Sequence, residues 1–266
     1  TAEVSITRLF IAGVLPGLLL AGLFMAYTIV WSLLNPGKIP PPDRAMTFLE
    51  KVRSSRHLIP VMGLIAAVLG SIYVGIATAT EAAALGVVGA LVISAVQGSL
   101  SARVFRDSLM GATRLYCMIA LILAGASFLT LSMGYIGLPR RLAEFITGLG
   151  LSQLWLLFWL MAFYILLGCF LDGISMVVLT MGVILPTIQK AGIDLVWFGI
   201  FIVLVVEMAQ ITPPVGFNLF VLQGMTKRDI GYIARASWPL FALMVLAVAL
   251  IYYFPGIVTW LPSQMR

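Results

Sequence analysis

Charge is scarce in this chain, and the residues that build most catalytic centres are scarcer still. Charged residues make up 10% of the 266 residues, with one histidine and two cysteines. A soluble domain carries about 25% charged residues. The spacings CxxC, HExxH and GxxxxGK[ST] do not occur, so zinc sites, metal-dependent hydrolysis and nucleotide hydrolysis lack their usual residues. We expect no enzyme and no cofactor.

The two cysteines and the histidine fit structural roles. Cys117 and Cys169 both lie in apolar runs, where cysteine usually acts as a small buried hydrophobe. His57 lies in a basic loop.

Hydrophobic residues, by contrast, are abundant. They make up 62% of the chain, and the mean hydropathy is +1.11. Several runs without charge reach the roughly 20 residues that cross a bilayer as a helix. These runs are 9–37, 58–80, 82–102, 115–139, 145–171 and 236–265. The composition predicts an all-α polytopic protein embedded in a lipid bilayer.

The net charge of +6 follows the loops between these runs, so it gives no sign of a nucleic-acid partner. Basic residues concentrate in 35–57, 98–114 and 227–235. The positive-inside rule places all three segments on the cytoplasmic side. Within this scheme 98–114 is an amphipathic arm helix at the cytoplasmic interface. The predicted full spans are 9–34, 58–76, 81–97, 115–132 and 237–258.

Two short stretches interrupt segments that are apolar enough to be embedded in the membrane. They are 168–173 (Gly-Cys-Phe-Leu-Asp-Gly) and 211–216 (Ile-Thr-Pro-Pro-Val-Gly). In hydrocarbon an unpaired backbone group costs several kcal/mol, so broken helices persist only in protein or beside a cavity. We predict a re-entrant helical hairpin over 152–188, whose second arm ends at Pro186, and a discontinuous helix over 195–225.

The second break offers oxygen atoms to a cation. Pro213 and Pro214 lack amide donors and free nearby carbonyls. Thr212 adds a hydroxyl, Asn218 adds a side-chain oxygen, and Gly216 permits close approach. These are hard ligands suited to Na⁺. The alternative is a proline kink that neighbouring helices repair.

The hairpin tip carries the other candidates. Asp172 either caps the half-helix that begins at Gly173 or binds an ion directly. Gly168 and Gly173 allow a closely packed tip, and Ser175 adds a further hydroxyl. The residues we expect to bind Na⁺ are Gly173, Thr212 and Gly216.

Two more carboxylates and the tryptophans complete the candidates. Glu207 lies one turn before the second break and Glu81 begins a span; each is either an ion or proton ligand or a structural carboxylate. Tryptophans near the predicted span ends are typical of an interfacial belt. They are Trp155, Trp159, Trp197, Trp238 and Trp260.

Taken together, several strings resemble the large membrane subunit of tripartite ATP-independent periplasmic (TRAP) transporters. They include 9–17 (Leu-Phe-Ile-Ala-Gly-Val-Leu-Pro-Gly), 78–84 (Thr-Ala-Thr-Glu-Ala-Ala-Ala), 168–173 and 211–220 (Ile-Thr-Pro-Pro-Val-Gly-Phe-Asn-Leu-Phe). The resemblance covers essentially the whole chain, and the last string is the most specific.

This resemblance implies an elevator-type secondary transporter with two inverted repeats, each holding a re-entrant hairpin and a broken helix. It implies Na⁺-coupled import of a small organic carboxylate, such as a dicarboxylate or sialic acid, across a bacterial inner membrane. A periplasmic binding protein and a small membrane subunit are the expected partners. Since the chain begins at Thr1 without methionine, we expect the preceding half of the large subunit, with the first repeat, to lie before it.

The resemblance also suggests a division of the chain. Scaffold and connecting helices are expected in 1–97, an arm helix in 98–114, half of the transport domain in 115–225 and a scaffold helix in 226–266. The alternative function is a non-transporting membrane scaffold whose breaks only allow helices to pack. Ion-dependent binding distinguishes the two.

Overall fold

The structure is a computed structural model, which describes residues 4–38, 47, 50, 55, 58–213 and 216–264. Within these residues the regular structure is α-helical, apart from a 3-10 turn at Pro36–Lys38. The helices are α1 (Ile6–Ala12), α2 (Val14–Leu34), α3 (Ile59–Tyr73), α4 (Ala79–Val96), α5 (Ala102–Ile136), α6 (Leu138–Gly148), α7 (Gln153–Gly168), α8 (Gly173–Lys190), α9 (Leu195–Gln210), α10 (Phe217–Thr226), α11 (Ile230–Tyr253) and α12 (Gly256–Ser263).

Several helices are long and apolar enough to cross a membrane. By length and composition, five stretches of the described chain qualify: Ile6–Leu34, Ala79–Val96, Ala102–Ile136, Gly173–Lys190 and Ile230–Tyr253. An α-helix satisfies its backbone hydrogen bonds internally, as the hydrocarbon requires. The predicted all-α, multi-pass architecture is confirmed at this level.

Most of these helices begin at a short polar side chain. The side-chain oxygen accepts a hydrogen bond from an amide in the first turn, which otherwise lacks a partner. Residues of this kind are Ser5, Thr78, Ser101, Ser152, Asp172, Asp194 and Asp229. At α4 the carboxylate of Glu81 also accepts from the Thr78 amide at 2.8 Å, which completes a capping box. Glu81 therefore has the structural role left open above.

The described residues fall into two compact units, one within 1–24 and 115–264 and the other within 25–114. In the first unit, α9 lies at the centre and contacts α1, α7, α8, α10, α11 and α12. Phe201, Val205 and Met208 on α9 are almost completely buried. A helix that is apolar on all sides belongs in such a core.

Trp197 anchors α9 to α11. Its side chain is buried, and its indole N–H donates to the Ile251 carbonyl at 3.0 Å. The expectation that Trp197 belongs to an interfacial belt is therefore wrong. The other four, Trp155, Trp159, Trp238 and Trp260, are exposed on the protein surface, as a belt requires.

In the second unit, α3 and α4 pack against each other after a short turn. Ile72, Ala77 and Ala82 form the small buried cluster between them. Gly89 of α4 lies directly against Leu64 of α3, so the absence of a side chain at 89 permits this close approach.

Helix bounds differ from the prediction in three places. The segments 98–114 and 115–132 were predicted as an arm and a separate span, but α5 runs unbroken from Ala102 to Ile136. The last span, predicted over 237–258, begins earlier because Asp229 caps α11. It ends at Tyr253, and α12 follows. The assignment of 98–114 to an interfacial arm stays a prediction.

The third difference concerns Pro186, where the second arm of the hairpin was expected to end. Instead α8 continues through Pro186 to Lys190. Thr187 and Ile188, directly after the proline, are buried, and α8 packs along α6. This tertiary packing outweighs the hydrogen bond that proline removes.

The predicted burial of the two cysteines is confirmed for Cys169 and wrong for Cys117, which is exposed.

Candidate functional site: a hairpin tip against a helix break

Helices α7 and α8 form a hairpin with its turn at 169–172. At the open end, the Gln153 amide Nε2 donates to the Ala191 carbonyl at 2.9 Å. Nearer the tip, the buried Tyr164 hydroxyl lies 2.6 Å from Thr180 Oγ1. The predicted hairpin is thus present, with the start of α7 beside the end of α8. Its re-entrant position in the bilayer stays a prediction.

Asp172 is the N-cap of α8. Its Oδ2 accepts from the Ser175 amide at 3.1 Å, and its Oδ1 accepts from the Ser175 hydroxyl. The capping role, one of the two alternatives for Asp172, is therefore observed. The Ser175 side chain is buried at the tip and serves this cap. Direct ion binding by either residue stays a prediction.

The discontinuous helix is present as α9 and α10. Helix α9 ends at Gln210, and α10 begins at Phe217. In the gap, the Thr212 hydroxyl donates to the Met208 carbonyl at 2.7 Å. Because the hydroxyl proton is used in that hydrogen bond, the lone pairs of the hydroxyl oxygen point away from it and can accept from a donor or bind a cation. Pro214 lies outside the described residues.

Two carbonyl oxygens converge on Gly216. A Cβ atom at this position would lie 2.7 Å from the Gln210 oxygen and 2.9 Å from the Thr212 oxygen. The Gly216 amide also donates to the Thr212 oxygen at 3.1 Å. Only glycine fits so close to two carbonyls, and the break therefore gathers hard oxygen atoms at one point.

The hairpin tip packs directly on this break. Gly168 lies against Ala209 so closely that a side chain would collide with it. A Cβ atom at Gly173 would lie 2.5 Å from the side-chain amide nitrogen Nε2 of Gln210. Cys169 Sγ donates to the Pro213 carbonyl at 3.4 Å. The structure thus brings Gly168 and Gly173 to the end of α9, as a two-part site requires.

Asn218 bridges the break. Its Nδ2 lies 3.5 Å from Glu207 Oε2, which is a weak hydrogen bond between the two half-helices. Glu207 and Gln210 also line one end of a groove of about 470 Å³ between α8 and α9, whose other lining residues are almost all apolar. Glu207 is thus a carboxylate at the surface of the groove with an amide neighbour, and its role as an ion or proton ligand or as a structural carboxylate stays a prediction.

Within the described residues no cluster of three or more His, Cys, Asp or Glu side chains occurs. The atoms that do converge are carbonyl and hydroxyl oxygens, which suit a hard cation rather than a soft metal.

Two kinds of contact were not predicted: the bond within the hairpin between Tyr164 and Thr180, and the contacts of Cys169 and Gln210 between the hairpin tip and the break. Tyr164 and Thr180 stood in apolar helices without any visible motif, although a tyrosine in such a helix needs a partner for its hydroxyl. The contacts of Cys169 and Gln210 had no local signal, because each depends on how two helices cross.

The profile of one family, "Tripartite ATP-independent periplasmic transporter, DctM component", matches residues 1–257. The chain belongs to this family. The predicted resemblance to the TRAP large membrane subunit is thereby confirmed.

Relatives at similar identity carry different substrate names. The C4-dicarboxylate TRAP transporter large permease protein DctM of Rhodobacter capsulatus is 35% identical over 99% of this chain and 60% of its own length. The isethionate TRAP transporter permease protein DctMQ of Oleidesulfovibrio alaskensis is 32% identical over 97% of this chain and 40% of its own. The ectoine/5-hydroxyectoine TRAP transporter large permease protein UehC of Ruegeria pomeroyi is 34% identical over 98% and 60%.

The chain therefore spans between 40% and 60% of the length of these TRAP permeases. All three relatives are named as transport proteins rather than enzymes. The comparisons place this chain among multi-pass membrane permeases of tripartite transporters.

Proposed function

We propose that this TRAP chain is part of a Na⁺-coupled importer of a small organic carboxylate in a bacterial inner membrane, and that it works by an elevator mechanism. A periplasmic binding protein delivers the solute, and a small membrane subunit and a preceding half of the large subunit complete the transporter. The relatives named for C4-dicarboxylate and ectoine transport are named for solutes that carry a carboxylate, and isethionate is an organic anion with a sulfonate in its place, which together support a small solute with an acidic group.

The observation that carries the proposal is the contact of the hairpin tip with the helix break. Broken helices that meet inside a membrane protein are the usual site of ions and substrates in secondary transporters. Here the carbonyls of Gln210 and Thr212 converge at Gly216, and the Thr212 hydroxyl has lone pairs to offer. These oxygens are the proposed Na⁺ ligands.

The solute would lie beside the ion. The half-helix α10 begins at the break without a side-chain cap, so its positive end favours a carboxylate there. The start of α8 already holds the Asp172 carboxylate. A bound Na⁺ adds positive charge beside the solute carboxylate, so binding of the ion favours binding of the solute. Asn218 and the tip residue Ser175 are the proposed neighbours of the solute, while Gly173 and Gly216 stay candidate Na⁺ ligands beside Thr212.

The experiment is Na⁺-dependent uptake by the complete transporter in vesicles, with Thr212→Ala. The loss of one ligand oxygen should raise the Na⁺ concentration for half-activation by about five- to tenfold. Thr226→Ala is a matched control: its hydroxyl makes the same bond to the carbonyl four residues earlier, at 2.7 Å, but lies at the far end of α10. It should leave the Na⁺ response unchanged.

If Thr212→Ala folds normally and keeps the Na⁺ response of the unmodified transporter, the ion site is wrong. If the unmodified transporter binds neither Na⁺ nor solute, the non-transporting scaffold becomes the better account.

A further inference from the structure

Helix α6 presents three distinct faces. At about 100° per residue, Pro139, Ala143 and Ile146 fall on one flank, and Ala143 is completely buried. This flank packs along α8. The next flank carries Leu138 and Phe145, which are exposed, Phe145 by 65%. A helix inside a soluble protein does not leave such an apolar flank uncovered.

The third face is charged, and its two arginines have different surroundings. Arg140 Nε donates to Glu144 Oε1 at 2.9 Å, and Lys190 Nζ lies 3.9 Å from the same oxygen. Glu144 is therefore shared by two cations. Arg141 makes neither a hydrogen bond nor an ion pair with the described residues of the chain. It lies on the edge between the charged face and the apolar flank that holds Phe145.

Exposed aromatic residues mark the level of α6 relative to the bilayer. Tyr135 is 92% exposed and precedes the end of the candidate span Ala102–Ile136 by one residue. Trp155, exposed by 53%, lies in the first turn of α7. Tyrosine and tryptophan at the ends of spans lie at the headgroup level. Since these two residues flank α6 on either side in the chain, we place the helix at the same level.

We propose that α6 binds an anionic phospholipid, with the Arg141 guanidinium on the headgroup phosphate and Phe145 and Leu138 among the acyl chains. A guanidinium matches a phosphate in a bidentate arrangement. Three cations around one carboxylate give this surface a net positive charge, which favours an anionic lipid over a zwitterionic one. The apolar flank beside Arg141 favours a lipid over an acidic soluble protein.

The site would tether the hairpin as well as α6. Helix α6 packs along α8, and Lys190 at the end of α8 shares Glu144 with Arg140. A lipid held at Arg141 thus holds the open end of the hairpin at the membrane surface.

The experiment measures lipid preference at α6 in the full chain. A bimane fluorophore is attached at Gly148→Cys, which is exposed and faces open space, after Cys117 and Cys169 are replaced by alanine. The protein is placed in phosphatidylcholine vesicles that contain a low fraction of nitroxide-labelled phosphatidylglycerol or, separately, nitroxide-labelled phosphatidylcholine. The ratio of the two quenching efficiencies reports the local enrichment of the anionic lipid.

We expect phosphatidylglycerol to be enriched about fivefold near the label, and Arg141→Gln to bring the ratio close to one. Arg140→Gln is the matched control: it removes the same charge from the same helix, but on the face away from the apolar flank, and should retain most of the enrichment. Each variant carries its own phosphatidylcholine reference, which corrects for a change in the exposure of the label to lipid.

Equal quenching by the two lipids in the unmodified protein would overturn the proposal, as would an enrichment that survives Arg141→Gln. Absence of quenching by either lipid would also overturn it, because α6 would then lie away from the bilayer.

Discussion

At the scale of single residues, the contact between hairpin and break depends on positions that have no side chain. Gly168 faces Ala209, and Gly216 faces the Gln210 and Thr212 carbonyls. A Cβ atom at Gly168 would push the tip away from α9, and a Cβ atom at Gly216 would collide with the carbonyl oxygens that the proposed site needs. The smallness of these residues is therefore as important to the site as the polar atoms are.

Gly168→Ala tests this point. Alanine is the better residue in a helix by about 1 kcal/mol, yet the collision with Ala209 should reverse the sign and destabilise the protein by about 1–3 kcal/mol. Gly125→Ala in α5, where nothing lies within 4 Å of the added carbon, is the control and should be neutral or stabilising. Thermal unfolding in detergent measures both.

Ala209→Gly in the Gly168→Ala background removes the opposing carbon. Recovery of most of the lost stability would support the contact, and an additive further loss would contradict it.

Some of these residues could be predicted and some could not. The cap at Asp172 and the break after Gln210 follow from local chemistry, since a carboxylate before an apolar run and two prolines in sequence act on neighbouring backbone. The Cys169–Pro213 bond joins residues separated by 44 positions. It depends on the crossing of α7 and α9, for which the sequence carries no local signal.

At the scale of helices, α6 and α8 are held together by packing and by charge. The hydrogen bond from Arg140, together with the nearby positive charges of Arg140, Lys190 and Arg141, holds the pKa of Glu144 below its ordinary value of 4.5. A carboxylate with a lowered folded-state pKa stabilises the fold above that ordinary value. The stabilisation is lost as the pH falls through the folded-state pKa.

The contribution should be small, because the pair is exposed to solvent. We expect amide protection in α6 to decrease on acidification below 4.5 in the unmodified chain. Glu144→Gln should show reduced protection already at neutral pH and no further decrease with acid. Hydrogen exchange with mass spectrometry measures this, with Asp107→Asn in α5 as a control that should retain the acid step. An acid step of full size in Glu144→Gln would exclude the pair as its cause.

Helix bounds were harder to predict than helix identity. The charges in 98–114 suggested a separate helix, but in α5 these residues are exposed and continue directly into the apolar part. Arg114 and Leu115 both favour a helix, so helix propensity predicts no break between them. At Pro186 the prediction ended the helix too early. Burial of Thr187 and Ile188 keeps α8 helical beyond a residue that favours a helix end.

At the scale of the whole molecule, the central position of α9 restricts how any moving part can be divided from a fixed one. The proposed division puts α9 in a mobile part, 115–225, and α11 in a scaffold, 226–266. Yet Trp197 of α9 is buried and donates to the Ile251 carbonyl of α11 at 3.0 Å. If α11 is fixed during transport, this bond and the packing around it must break in every cycle.

A crosslink between residues 197 and 251 tests whether α9 moves relative to α11 during transport. In the complete transporter, Trp197→Cys and Ile251→Cys are combined, Cys117 and Cys169 are replaced by alanine, and a short cleavable thiol crosslinker joins the pair. Under the proposed division, the crosslink should abolish solute uptake into vesicles and leave Na⁺-dependent solute binding intact, because motion is blocked and the tip–break contact is not. Cleavage of the linker should restore uptake. The two single-cysteine variants, treated with the same reagent, report what loss of each side chain does alone. Complete crosslinking with undiminished uptake would mean that α11 travels with α9, and the scaffold would then have to exclude 230–253.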